Sequence, residues 1–306
     1  MSSNRSSNDY RELDVPDQTG KTFLVTGANT GIGFDAARVL ANQNARVLLG
    51  CRSEEKAQLA IDRIQADKAN ADLSWIPLDL GDLKTVASAA EEVRKEDRLD
   101  GLINNAGVMV PPKTETVDGF EQQFGVNHLG HFALTGHLIE KLMTTAGSRI
   151  VNVSSLAHRA GKIDYEDIHA NKNYNRMKRY QMSKFANILF TLELDRKLKS
   201  ISSGLLSVAC HPGVSITELT RHSVFFKFFF FMAPLMNSSA EGALPTLMAA
   251  TDDMIEGGDY IGPKRMGEMR HSAQKVQVVE ASKNKEDGAR LWDLSEQLTG
   301  VKFLSN

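Results

Sequence analysis

The chain has 306 residues, of which 42% are hydrophobic and 24% are charged, and 36 basic side chains nearly balance 38 acidic ones. This composition is typical of a globular protein with a sizeable core. The net charge of −2 lacks the basic surplus of a nucleic-acid-binding protein, so no nucleic-acid partner is expected. Two cysteines, Cys51 and Cys210, are too few for a disulfide framework and favour a reducing compartment, for which we expect the cytoplasm.

The N-terminal residues 1–19 are predicted to form a disordered or extended tail. The first ten residues contain no apolar run, which also argues against a secretory signal. From residue 20 to 306 neither a linker nor an internal repeat is evident, so one domain is expected. No run of about 18 apolar residues exists, and a transmembrane segment is therefore not expected.

Short apolar runs alternate with longer helical patterns along the chain. Strands are predicted at 21–26, 45–50, 73–77, 101–104, 149–153 and 205–210, and helices at 32–42, 54–66, 83–94, 120–144 and 180–199. Continuous apolar strands separated by helices indicate parallel pairing with both faces covered. The expected fold class is α/β, a Rossmann-type doubly wound parallel β-sheet flanked by helices.

A glycine-rich segment joins the first strand to the first helix, with the sequence Thr26-Gly-Ala-Asn-Thr-Gly-Ile-Gly33. Glycines permit a tight turn and let backbone N–H groups approach a pyrophosphate, and the helix N-terminus adds a favourable dipole. The spacing is G-x-x-x-G-x-G rather than G-x-G-x-x-G, and a plain strand-to-helix turn is the alternative. The order of strand, glycines and helix favours a dinucleotide site.

The end of the second strand indicates which dinucleotide is bound. An acidic residue there would bind the ribose 2′-hydroxyl of NAD(H). The chain instead has Cys51-Arg52-Ser53, and its first acid is Glu54. The Arg52 guanidinium can bind a 2′-phosphate, which favours NADP(H) over NAD(H); a solvated arginine in a loop is the alternative.

Tyr180 and Lys184 are four residues apart in a predicted helix, which puts both on one face. A free phenol has a pKa near 10, and a neighbouring ammonium favours the phenolate and lowers that value. Such a tyrosine exchanges a proton with a carbonyl or alcohol oxygen near neutral pH. A surface pair without a function is the alternative.

Polar groups follow three further strands. Ser154 and Ser155 follow the strand at 149–153, at the edge where parallel sheets bind ligands; a turn or helix cap is the alternative. The segments 104–107 (Asn-Asn-Ala-Gly) and 211–217 (His-Pro-Gly-Val-Ser-Ile-Thr) end two other strands. Each alone is compatible with a simple turn.

Together these motifs resemble the short-chain dehydrogenase/reductase (SDR) family of the classical type, in family order and over residues 20 to 302. The similarity is greatest to the retinol dehydrogenase-like branch. It is carried by the glycine loop, Cys51-Arg52, the segments 101–109, 127–132 and 211–213, and the C-terminal segment 289–295.

The resemblance implies a catalytic tetrad of Asn127, Ser155, Tyr180 and Lys184. Tyr180 would be the acid/base, Lys184 would lower its pKa and hold the nicotinamide ribose, Ser155 would orient the substrate, and Asn127 would position a water in a proton relay. The implied cofactor-binding residues are Gly27, Asn29, Thr30, Gly31, Ile32, Gly33, Arg52, Ser53, Asp79, Leu80, Asn105, Ala106, Gly107, Tyr180, Lys184, Pro212, Gly213, Val214 and Thr217.

A phenylalanine-rich segment follows Thr217, and in this fold the region at about 217–240 is expected to form a substrate lid. The candidate lid residues are Phe225, Phe226, Phe229 and Phe230. Because six phenylalanines in a short segment cannot all face one pocket, two other interpretations remain. The segment would then contact a second subunit of a homo-oligomer or a membrane surface, or form a core helix.

Three histidines, His128, His131 and His137, lack a cysteine or acid at metal-ligand spacing, so no metal site is expected. The predicted function is an NADP(H)-dependent oxidoreductase that transfers a hydride between nicotinamide and a carbonyl or alcohol group of a small apolar substrate. The alternatives are a catalytically silent NADP(H)-binding regulatory protein on the same fold and a membrane-surface-associated SDR.

Overall fold

The computed structural model describes residues 10–214 and 237–304, and in them one eight-stranded sheet forms the centre of the domain. Its strands are β1 (Thr22–Thr26), β2 (Arg46–Cys51), β3 (Leu73–Pro77), β4 (Gly101–Asn104), β5 (Arg149–Val153), β6 (Leu206–Cys210), β7 (Tyr260–Arg265) and β8 (Arg270–Val276). Their order is β3-β2-β1-β4-β5-β6-β7-β8. All neighbours pair in parallel except β8, which is antiparallel to β7.

Helices cover both faces of the sheet. They are α1 (Gly31–Asn42), α2 (Glu54–Asp67), α3 (Leu83–Arg94), α4 (Gln122–Phe124), α5 (Gly130–Met143), α6 (Arg176–Ser200), α7 (Ser239–Thr251) and α8 (Lys285–Thr299), with a π-helical turn at Gly125–Leu129 between α4 and α5. Alternate residues of β1 enter opposite cores: Phe23 and Val25 pack with α1, α2 and α7, whereas Leu24 packs with α3, α5 and α6. The doubly wound α/β fold expected from the sequence is confirmed.

The C-terminal part of the sheet was not predicted. Strand β7 contains Gly262 and Pro263, and β8 carries mostly polar residues, so neither has the continuous apolar pattern of a buried strand. Helix α6 begins at Arg176 rather than at Tyr180, because the side chain of Asn175 caps it by accepting from Lys178 N. Tyr180 therefore lies in the second turn of α6.

Residues 10–19, which the sequence analysis assigned to the tail, pack against the domain. The Tyr10 side chain is buried, and its hydroxyl lies 3.2 Å from Thr251 Oγ1 at the end of α7. Val15 is also buried. Tyr10 and Val15 are part of the core on the α1 face of the sheet, whereas Leu13 between them is exposed.

The strand order reverses between β1 and β4, because the chain passes from β1 outward to β2 and β3 and returns to β4 on the other side. In an open parallel sheet, such a reversal opens a crevice at the carboxyl ends of the strands. The candidate site lies in this crevice. Among the described residues, no helix is long and apolar enough to cross a bilayer.

Candidate active site

A groove of about 410 Å³ runs along the carboxyl edge of the sheet. Most of the cofactor-binding residues predicted from the sequence line it: Gly27, Asn29, Thr30, Gly31, Ile32, Gly33, Arg52, Asp79, Leu80, Asn105, Ala106, Gly107, Tyr180, Lys184 and Pro212. The structure adds residues that the sequence analysis missed, including Cys51, Lys56, Val108, Met109, Pro111 and Gln122. One continuous groove thus extends from the glycine loop to Tyr180.

The glycine loop fits a pyrophosphate. Gly27 has a φ of +68°, in the left-handed region that favours glycine. A Cβ at Gly33 would lie 2.5 Å from the Gly27 carbonyl oxygen, so the loop closes tightly onto α1 only without a side chain there. The first turn of α1 carries no acid and directs its backbone N–H groups toward the groove.

Thr26 joins the glycine loop to the floor of the groove. Its hydroxyl accepts hydrogen bonds from the backbone N–H groups of Asn105 and Ala106, both at 2.9 Å. The Asn105 side chain donates in return to the Thr26 carbonyl at 2.8 Å. These bonds hold the ends of β1 and β4 together beneath the groove, because the two strands are neighbours in the sheet.

The far end of the groove carries two basic side chains, Arg52 and Lys56. Ser53 does not line the groove but caps α2, accepting from Lys56 N at 3.3 Å. Lys56 is the third residue of α2, and its side chain lines the groove together with Arg52. The predicted start of this helix at residue 54 was correct, but it did not show that a side chain of the first turn reaches the groove. Burial raises the pKa of the Cys51 thiol to about 11, so it stays neutral.

Lys184 is buried at the other end of the groove, and its Nζ donates to the Val153 carbonyl oxygen at 3.0 Å. The ammonium nitrogen lies 5.9 Å from the centre of the Tyr180 ring, so both side chains reach the same groove. Burial lowers the pKa of Lys184 to about 8. A Cβ on Gly107 would come 3.6 Å from this nitrogen, so the glycine leaves space beside it.

The pKa of Tyr180 differs from expectation. Burial raises the pKa of the phenol above 10, and the hydrogen bond with the Ser155 side chain opposes the rise. The sequence analysis expected Lys184 to lower it. In the structure the ammonium points to the Val153 carbonyl rather than to the phenol, and burial is the larger effect. Tyr180 therefore holds its proton at neutral pH.

The two serines after β5 have different surroundings. Ser154 is 2% exposed, and its hydroxyl donates to the Lys184 backbone carbonyl at 2.8 Å. Ser155 is half-buried, and its hydroxyl accepts from Ala157 N at 3.2 Å. Its side chain also lies close enough to Tyr180 to lower the pKa of the phenol. The serine expected to orient the substrate is thus the one whose hydroxyl reaches the phenol.

Asn127 is buried within the π-helical turn. Its side chain accepts from Val108 N at 2.7 Å and donates to the Val108 carbonyl at 2.9 Å and to Ser183 Oγ at 3.0 Å. Its backbone carbonyl accepts from His131 Nδ1 at 3.1 Å. Asn127 therefore fixes the wall of the groove that contains Val108.

His131 connects this wall to the glycine loop. Its Nδ1 faces a carbonyl, which only accepts, so Nδ1 carries the hydrogen. Burial lowers the pKa of His131 to about 3, so the ring is neutral and Nε2 accepts from the Thr26 hydroxyl at 2.9 Å. His128 is buried as well, and burial lowers its pKa to about 3. Within 10–214 and 237–304, no group of three His, Cys, Asp or Glu side chains could hold a metal ion.

The segment after β6 forms the last wall. Pro212 lines the groove, whereas Gly213 and Val214 do not, and the Val214 N–H donates to the Met269 carbonyl at 3.1 Å. Thr217 and the candidate lid residues Phe225, Phe226, Phe229 and Phe230 fall outside the described residues.

Comparison with known proteins agrees with this geometry. Residues 21–224 match the short chain dehydrogenase family, which covers more than half of the chain. The fold and the site define a short-chain dehydrogenase, and the chain belongs to that family.

Individual relatives show which members of the family this chain resembles. The chain is 40% identical over 288 residues to retinol dehydrogenase 12 of Mus musculus, covering 93% of this chain and 88% of the relative. A solved structure of a putative uncharacterized protein from Mycobacterium paratuberculosis is 37% identical, with a TM-score of 0.81 over 97% of this chain and 99% of that one. A putative short chain dehydrogenase from Shigella flexneri 2a, complexed with NADP, is 25% identical with a TM-score of 0.64, over 79% of this chain and 96% of that one. The chain is thus a retinol dehydrogenase-like oxidoreductase of the short-chain family.

Proposed function

We propose that this oxidoreductase uses NADP(H) to reduce the carbonyl group of a small apolar substrate. The observation that carries the proposal is the placement of Tyr180 and Lys184 in one groove, with the Ser155 side chain close enough to the phenol to lower its pKa. When bound, a nicotinamide cofactor supplies the hydride. The side chains of this protein supply the proton and orient the substrate.

Tyr180 supplies the proton. Because burial raises its pKa, the phenol is protonated at neutral pH and can donate to the oxygen of a carbonyl as that carbon is reduced. Ser155 holds the same oxygen from a second direction. Hydride addition to carbon and proton donation to oxygen together convert the carbonyl into an alcohol. Lys184, whose positive charge lies in the same groove, favours the phenolate that remains.

The preference for NADP(H) is supported by charge at the far end of the groove. Arg52 and Lys56 are both basic, and the end of β2 lacks the acid that would bind a 2′-hydroxyl. A 2′-phosphate would meet a guanidinium, an ammonium and the N-terminus of α2. The complex of the Shigella flexneri relative with NADP is consistent with this preference.

An apolar substrate is supported by the side chains beside Tyr180. Val108, Met109 and Pro111 line the same groove as Tyr180, and Val108 follows Gly107, which lies next to the Lys184 ammonium. The relatives are named after retinol, an apolar alcohol. We propose that the phenylalanine-rich segment covers this end as a lid. Polar substitution of Phe229 or Phe230 should then raise KM for a lipophilic aldehyde more than for a small one, and equal effects would contradict the lid.

Three further proposals concern partners and location. Contact of the phenylalanine-rich segment with a membrane surface is the alternative to a lid, and flotation of the protein with lipid vesicles would support it. The same segment would alternatively form the contact between the subunits of a homo-oligomer. A cytoplasmic location is supported by the free thiols Cys51 and Cys210, which suit a reducing compartment.

The decisive test is Tyr180→Phe, which removes only the phenolic oxygen. Wild-type protein should oxidise NADPH in the presence of apolar aldehydes or ketones, followed by nicotinamide absorbance. The variant should lose this turnover by at least about 100-fold while its NADPH affinity changes little. Retained turnover would reject the role of Tyr180. Wild-type protein that binds NADPH but turns over no member of a broad aldehyde and ketone panel would favour the regulatory alternative.

A further inference from the structure

The turn between β7 and β8 lies at the carboxyl edge of the sheet, beside the reacting end of the groove. Its residue Glu268 is partly buried and contacts two separate segments. The carboxylate accepts from Arg159 at 2.6 Å and from His211 Nε2 at 3.2 Å. Neither Glu268 nor its partners have a role in the proposed chemistry.

His211 links the turn to the Pro212 wall. The ring is fully buried, and its Nδ1 accepts from the Gly213 N–H at 3.2 Å, so Nε2 carries the hydrogen and donates to Glu268. A second bond runs from the Val214 N–H to the Met269 carbonyl. The turn thus holds the segment after β6 at two points, on either side of Gly213.

Arg159 links the same turn to the Ser155 wall, by which we mean the segment after β5 in which Val153 and Ser154 line the groove and Ser155 follows them. It belongs to the 3₁₀-helix Leu156–Ala160, for which Ser155 is the N-cap residue. The Ser155 carbonyl accepts from His158 Nδ1 at 2.6 Å, and His158 is fully buried. The ion pair with Glu268 therefore fixes the far end of a rigid turn that starts at Ser155.

The backbone of the β7–β8 turn is held in an uncommon conformation. Met266, Gly267 and Glu268 have φ values of 53°, 66° and 68°, all in the left-handed region. Two of them carry side chains, which rarely adopt this region without support from their surroundings. The contacts of Glu268 and of the Met269 carbonyl supply that support.

We propose that Glu268 is a positioning residue that ties the Ser155 wall to the Pro212–Val214 wall, and so sets how tightly the nicotinamide half of the cofactor and the substrate carbonyl are held. The inference rests on the proposed function. The effects of Glu268 are confined to the nicotinamide end of the groove. Strand β7 lies five strand spacings from β2, a distance of about 24 Å, so Glu268 does not reach the side chains at Arg52.

The test compares a whole dinucleotide with its adenosine half. Glu268→Ala should weaken NADPH binding about tenfold, equivalent to about 1.4 kcal/mol, whereas binding of 2′,5′-ADP should stay within about twofold of wild type. KM for the carbonyl substrate should also rise. The NADPH affinity of Glu268→Gln should lie between those of the wild type and Glu268→Ala, because the amide oxygen still accepts from His211 but carries no charge.

Glu280→Ala is the matched control. It removes an exposed glutamate that pairs with Lys283 outside the groove, and neither ligand should bind differently. Equal weakening of NADPH and 2′,5′-ADP by Glu268→Ala would show a general loss of structure and overturn the inference, as would no change in either. If Glu268→Ala does not fold, Arg159→Met removes half of the tie and must show the same selective loss.

If the proposed preference for NADP(H) is wrong, the binding measurements differ from those expected if the role of Glu268 is wrong. If the wild-type protein binds NADH rather than NADPH, the comparison is made between NADH and 5′-ADP. A selective loss of NADH affinity would then uphold the role of Glu268 while rejecting the assignment of Arg52. Equal losses would reject the role of Glu268.

Discussion

The hydroxyl of Ser154 donates to the backbone carbonyl of Lys184 at 2.8 Å, and so joins the end of β5 to the third turn of α6. The adjacent hydroxyl, on Ser155, lies instead near the side chain of Tyr180 and lowers the pKa of its phenol. Two consecutive serines thus face the same helix with different consequences. One holds the helix in place, and the other reaches its reactive side chain.

Ser154→Ala and Ser155→Ala should therefore separate stability from turnover. Ser154→Ala removes the buried side-chain bond to the Lys184 carbonyl, which keeps only its helical donor, and should lower the free energy of unfolding by about 1–2 kcal/mol, with a small change in kcat/KM. Ser155→Ala should lower kcat by about 100-fold or more with little change in Tm. Denaturant unfolding and steady-state kinetics measure both, and the reverse assignment of effects would contradict this reading.

Arg52 and Lys56 should both select the cofactor. Arg52→Ala should reduce the ratio of NADPH to NADH affinity by at least about tenfold, because a charged hydrogen bond contributes about 1.5–3 kcal/mol. Lys56→Ala should reduce the ratio less, since an ammonium binds a phosphate as a point charge. Lys95→Ala, which removes an exposed lysine paired with Glu92, is the control. An unchanged ratio in both site variants would argue for NAD(H).

Lys184 should make stability depend on pH above neutrality. Its folded-state pKa of about 8 lies below the ordinary value of 10.5, so between these values the unfolded chain binds more protons than the folded one. The free energy of unfolding of the wild type, relative to Lys184→Met, should therefore rise with pH across this window, by up to about 3 kcal/mol. A difference that is flat or falls from pH 7 to 10 would contradict the burial of a charged Lys184.

The Thr26 hydroxyl should be needed for both folding and cofactor binding. Thr26→Val leaves the Ala106 N–H and Nε2 of His131 without a partner and removes one of the two acceptors of the Asn105 N–H, which still donates to the Ile103 carbonyl; it should cost about 2–3 kcal/mol of stability. It should also weaken NADPH binding, because Asn105 and Ala106 form the groove floor. Thr26→Ser keeps the hydroxyl and should remain close to the wild type. Calorimetry and ligand titration test this, and equal defects in both variants would exclude a role for the hydroxyl.

The first six strands and the glycine loop were predictable because each has a local signature. Strands β1 to β6 are apolar and flank helices of regular period, so the pattern alone indicates their type. The groove residues follow from where those strands end. Lys184 and Tyr180 were placed on one face by helical spacing, which the structure confirms.

What sequence reasoning missed depends on tertiary contacts. The pKa of Tyr180 is dominated by burial, and burial is not visible in the spacing of Tyr180 and Lys184. Strands β7 and β8 are polar enough to resemble loops, and they form because β6 offers them an edge. Glu268 gained its two partners only through that pairing, since Arg159 and His211 are more than 50 residues away in the chain.

The reversed direction of β8 has a consequence for how this family can vary. A parallel strand delivers one loop to the carboxyl edge and must return through a helix on a face of the sheet. By turning back directly, β7 and β8 present a short hairpin tip at that edge, supported by the ladder between the two strands. Insertions or exchanges at this tip would reshape the entrance for new substrates while the cofactor loop, built on distant strands, kept its form.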